Sequence, residues 1–87
     1  MTDGRVRKRS LTLEGHATSV SLEDAFWEAL QVLAARNGET VPTLAARIDA
    51  ERGAASLSSA LRVHALETFR RDAEAARAPA GSAKDVA

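Results

Sequence analysis

The chain has 87 residues, with 12 basic and 12 acidic side chains and no cysteine. That length holds one small domain, the charge balance lacks the overall basic signature of many nucleic-acid binders, and the missing cysteines exclude a disulfide framework and thiolate metal sites. No apolar run approaches a membrane span and the N-terminus has no secretory pattern, which suits a cytoplasmic protein.

The charge is unevenly placed. Residues 1–21 carry Arg5, Arg7, Lys8 and Arg9 against Asp3 and Glu14, a net of +2, so the remainder carries −2. Residues 1–7 read as a flexible basic arm whose charge run extends to Arg9. Leu11 and Leu13 then alternate with polar neighbours, and Glu14-Gly15 follows. Glycine supplies the backbone freedom of a tight turn. Two readings stay open here. As a two-residue hairpin loop, Glu14-Gly15 puts Leu13 opposite His16 and Leu11 opposite Thr18, and Leu11, Leu13, Thr18, Val20 and Leu22 share one apolar face. The alternative is an ordered arm crossing a partner subunit.

From His16 to Leu22 the alternation continues, with Ala17, Ser19 and Ser21 on the polar face. One short strand, or one small hairpin, is not stable alone in water. The rest of the chain offers this strand no good mate, so the economical mate is a second copy. The expectation is a two-fold antiparallel ribbon near Ala17 to Leu22.

Helical periodicity begins at about Glu23 without an intervening loop and runs to Arg36. Glu23 and Asp24 suit the positive end of the dipole, and Asn37-Gly38 is a stop. Phe26, Ala29, Leu30 and Leu33 form the apolar stripe, with Trp27 beside it. A short helix over 41–52 follows Thr40 as N-cap, with Pro42 in its first turn. A third helix starts near Ser56 and runs past Phe69. Leu57, Leu61, Val63, Leu66 and Phe69 cover most of its circumference, the pattern of a central helix buried on several sides in an intertwined dimer. Residues 72–87 read as a frayed helix end and a disordered tail. The domain proper spans 8–71.

The order strand, helix, helix resembles the ribbon-helix-helix superfamily, the class of the Arc and methionine repressors. More closely, the chain is similar to a bacterial family of small ribbon-helix-helix domain proteins. The residues that carry this are Lys8-Arg-Ser, Gly15-His16, Thr18-Ser19, Ser21-Leu-Glu23, Phe26-Trp27 and Leu30, with a second block of Ile48-Asp49, Arg52-Gly53 and Leu57-Ser-Ser-Ala-Leu-Arg62. The match covers about residues 8 to 71. Two departures stand out: Ala17 occupies a position where that family often has arginine, and the helix over 41–52 is extra, so the superfamily's second helix corresponds to Leu57 onward. The resemblance implies a mainly α fold with a short N-terminal ribbon and an intertwined homodimer with Val20, Leu22, Phe26, Trp27, Leu30, Leu57, Leu61 and Leu66 in its core.

In such a ribbon the outer strand face enters the major groove. Here that face would present Ala17, Ser19 and Ser21 to the bases. Serine discriminates poorly and alanine reads only a thymine methyl, so DNA shape or several dimers side by side would have to help. Arg5, Arg7, Lys8 and Arg9 would contact phosphates, as would Ser56, Ser58 and Ser59 around the start of the third helix; solvated charge and plain N-capping are the bland alternatives. His16 and His64 make no metal site, and no cofactor is expected. Glu23, Asp24 and Glu28 lack the pocket and second group that acid–base catalysis needs, so no enzyme is expected. The expectation is a DNA-binding repressor or autoregulator. The rival is an antitoxin-like dimer that binds another protein, favoured by the zero net charge and by Ala17.

Overall fold

The computed structural model describes residues 4–77. The expected tail over 78–87 and the first three residues lie outside them. The element order is β1 (Val6–Leu13), β2 (His16–Glu23), α1 (Asp24–Arg36), α2 (Val41–Glu51) and α3 (Leu57–Arg77). The strands form one two-stranded antiparallel sheet.

The hairpin reading is the one realised. Leu13 faces His16 and Leu11 faces Thr18, with Glu14 at φ 52° and Gly15 at φ 85° between them. Two consecutive positive φ values define the turn whose twist matches that of antiparallel strands. Glycine adopts that backbone freely, whereas at Glu14 it costs roughly 1–2 kcal/mol. The mate of β2 is therefore β1, within the same chain. This corrects the expectation that the rest of the chain offers residues 17–22 no mate. It also shortens the N-terminal arm, because Val6 and Arg7 already belong to β1.

β2 passes into α1 with no loop, the strand ending at Glu23 and the helix starting at Asp24. The α1 terminus closes with Gly38 at φ 68° and with the Gly38 and Glu39 amides donating to the carbonyls of Ala35 and Ala34 at 3.1 and 2.9 Å, a Schellman closure. Thr40 caps α2 by accepting from the Thr43 amide at 3.3 Å, with Pro42 in the first turn. Ser56 caps α3 by accepting from the Ser59 amide at 3.1 Å. The short helix over 41–52 is present as α2, between the two longer ones.

The three helices cover the inner face of the hairpin. Leu11, Leu13, Val20 and Leu22 join Leu30, Leu33, Ala34, Leu44, Ala45, Ile48, Leu61 and Ala65 in a single cluster. Leu22, Leu30, Leu44 and Leu61 are fully buried and Val20 nearly so. These side chains close a core inside one chain. Four of the expected dimer-core residues (Val20, Leu22, Leu30 and Leu61) thus belong to the core of the single chain. Nor is α3 buried all round: Leu61 and Ala65 are buried, while Val63 and Leu66 are 49% and 56% exposed. Its apolar residues face two directions, one filled by this chain and one open.

Candidate nucleic-acid interface

Strand parity divides the hairpin. On its outer face Val6 lies across from Glu23, Lys8 from Ser21, Ser10 from Ser19 and Thr12 from Ala17, and these residues alternate with the inward-facing leucines. One strand contributes the expected Ala17, Ser19 and Ser21. The other contributes Ser10 and Thr12, which sequence reasoning did not single out, beside Lys8. Choosing the hairpin over the arm would have found them, since residues 8, 10 and 12 alternate with the inward Leu11 and Leu13.

The same parity puts Arg7 and Arg9 on the inner side, opposite Leu22 and Val20. Both reach Asp24 at the start of α1: Arg9 Nη2 donates to its Oδ1 at 2.7 Å and Arg7 Nε to its Oδ2 at 3.2 Å. The Arg9 guanidinium also stacks 4.7 Å from the centroid of the Trp27 ring, a favourable cation–π geometry. Its Nε is buried without an acceptor. Of the basic run, Lys8 alone points to the outer face; Arg7 and Arg9 fasten α1 to the ribbon, and Arg5 lies exposed just before β1.

The three serines of α3 divide their roles. Ser56 and Ser59 form the N-cap. Ser58 Oγ accepts the Ser21 amide at 3.0 Å. Arg62 completes this junction: Nη2 donates to the Ser21 carbonyl at 2.9 Å and Nε to Glu23 Oε1 at 3.0 Å. Its own backbone N–H and the Arg62 guanidinium hold the Glu23 carboxyl below the usual carboxylate range. In a hairpin with a two-residue loop, Leu13 and His16 form a hydrogen-bonded pair, so residues 17, 19, 21 and 23 turn their amides and carbonyls outward from β2. At Ser21 both groups are taken by α3. The edge that would pair with a second β2 is closed there, and the N-terminus of α3 is held beside the ribbon. Arg62 was legible only as part of a motif; its role depends on α3 packing along β2.

His16 is exposed at the start of β2, and His64 is half-buried on α3. Burial, then Arg47 and Arg71, push the His64 pKa below its ordinary value. Among the described residues no group of three or more His, Cys, Asp or Glu side chains is placed to hold a metal. Among them, too, no helix is long and apolar enough to cross a membrane.

On the helical side, Ala25, Phe26, Ala29, Ala65, Leu66 and Phe69 line an apolar hollow of about 160 Å³. Arg36 borders it, bonded to Asp72 at 2.6 Å and lying 5.2 Å from the Phe69 ring centroid. Of the expected dimer-core residues, Phe26 and Leu66 line this hollow, whereas Trp27 is engaged by Arg9 and Leu57 packs against the core.

Comparison with known proteins agrees with this architecture. Among solved structures, an uncharacterized protein from Bordetella pertussis Tohama I is 40% identical, with a TM-score of 0.70; the match covers 95% of this chain and 70% of that one. No curated protein matches. The family described as "Ribbon-helix-helix domain" matches residues 6–69, from the first residue of β1 into α3. The chain belongs to the ribbon-helix-helix domain family.

Proposed function

We propose that this protein is a dimeric DNA-binding transcriptional regulator, a repressor or autoregulator of the bacterial cytoplasm, whose hairpin lies in the major groove. The observation that carries the reading is the outer face of the hairpin. From Lys8 and Ser21 toward the turn, the six residues there are each small or, at Lys8, long and cationic; Val6 and Glu23 share the face at its open end, where Glu23 is bonded to Arg62. Two strands spaced about 4.8 Å apart fit a groove about 12 Å wide. Ala17, Ser19 and Ser21 then face the bases. Arg5 and the α3 N-terminus, held beside β2 by Ser58, lie at the groove wall, where Ser56, Ser58 and Ser59 meet phosphates. Arg7 and Arg9 reach phosphates only by releasing Asp24.

The dimer forms on the opposite side. Leu66 projects from the rim of an apolar hollow that it also helps to line. A projecting side chain and a hollow on one patch are what a two-fold isologous contact uses. Dimers then stand side by side on longer sites, compensating for weak base readout. The chemistry is binding alone, without catalysis or a cofactor.

One observation favours a second reading, a module that binds another protein. Asp24 neutralises part of the ribbon's basic charge and Glu23 faces Arg62, so the field available to steer toward DNA is small. Fluorescence anisotropy on a labelled duplex at two salt concentrations separates the two. The DNA reading expects affinity that falls with salt, with a log–log slope on the order of −2 to −4 per dimer, about −0.9 for each phosphate neutralised. Absence of binding at low salt favours the protein-interaction reading.

A further inference from the structure

We infer that Lys8 reads a guanine in the major groove rather than contacting a phosphate, which makes β1 the strand that sets sequence preference. The inference rests on the DNA-binding reading above. Of the eight side chains with outer-face parity, Lys8 is the only cation, and the other long one, Glu23, is bonded to Arg62. Its direct neighbour across the ribbon is Ser21, Val6 and Ser10 flank it on its own strand, and it is exposed. Strand side chains stand roughly perpendicular to the sheet, which aims Lys8 along the direction in which the ribbon enters the groove. The wall of the groove on the α3 side is separated from Lys8 by β2, because α3 is bonded to the far edge of β2 at Ser21. Lys8 has no ion-pair partner among the described residues, unlike the flanking Arg7 and Arg9, which are held on Asp24.

The chemistry of the groove then selects the base. Guanine presents two acceptors there, O6 and N7, and a lysine ammonium carries only donors. Ala17, Ser19, Ser21, Ser10 and Thr12 donate, accept or pack without a strong preference. Specificity concentrated in one cation fits a face that is otherwise permissive.

The test selects binding sites from a randomised duplex pool for the intact protein and for its Lys8→Ala and Lys8→Arg variants, with thermal melts as a control for folding. For the intact protein the inference expects one guanine per half-site. Lys8→Ala loses about tenfold discrimination at that position, while other positions are unchanged; Lys8→Arg keeps it. Uniform weakening on every sequence, with a salt slope shallower by about 1 per substituted side chain, makes Lys8 a phosphate contact and overturns the inference while leaving the DNA-binding reading intact. Failure of the intact protein to bind any duplex overturns both.

Discussion

Replacing Leu30 with alanine is expected to bring the domain close to unfolding at room temperature. Leu30 is fully buried, in one cluster with Leu22, Leu44 and Leu61. Truncating such a leucine removes its transfer free energy and leaves a cavity that rigid neighbours only partly fill, together about 2–5 kcal/mol. A domain of this size has a total stability of about 5–10 kcal/mol. Each kcal/mol moves the midpoint by roughly 4–8 °C, so a thermal melt followed by circular dichroism should shift down by at least about 10 °C. Val32, 49% exposed on the same helix, provides the control: its alanine variant should stay within about 0.5 kcal/mol of the parent, as surface changes generally do. A Leu30→Ala variant that melts with the parent would mean that the core described for one chain does not hold the fold.

Replacing Leu66 with glutamate is expected to convert a dimer into a monomer without loss of helix. Leu66 is 56% exposed, so a charge there meets water in the single chain and the fold tolerates it. In the proposed dimer the same carboxylate would sit in an apolar hollow beside Phe26 and Phe69, where burying a charge without a partner is costly. A loss of dimer affinity on the order of 100-fold, about 2.7 kcal/mol, is expected for a residue at the centre of such a contact. Sedimentation velocity at tens of micromolar should report a dimer for the parent and a 9.2 kDa species for the variant. DNA affinity should fall with it, because two linked half-sites are lost. A variant that remains dimeric would move the interface elsewhere, and the free edge of β1 becomes the candidate.

Much of the fold could be read from local rules. Two leucines in phase and Gly15, the residue most at ease at positive φ, offered the hairpin register as one of two open readings. Thr40 and Pro42 marked the start of α2, and Asn37-Gly38 the end of α1, because caps are sequence-local. What escaped was tertiary. Whether β2 pairs with β1 or with a copy of itself depends on long-range competition that alternation does not encode. Arg7 and Arg9 read as a free basic arm because a charge run looks solvated; placed in a strand, they take the parity of Leu11 and meet Asp24 and, for Arg9, Trp27. Ser58 was expected as a phosphate ligand and also accepts the Ser21 amide, a pairing of residues far apart in sequence. The apolar residues of α3 pointed to burial on several sides, but composition alone cannot say which stripe one chain fills and which it leaves open.

In the proposed complex the outer face of a hairpin formed within one chain meets the major groove. Amide NMR of the isotopically labelled protein, titrated with a duplex at low salt, tests this residue by residue. The largest shifts are expected on Lys8, Ser10, Thr12, Ala17, Ser19 and Ser21 and on the amides at the start of α3, with α2 little changed. Shifts centred on α2 or on the α1–α3 hollow, with the hairpin silent, would contradict it.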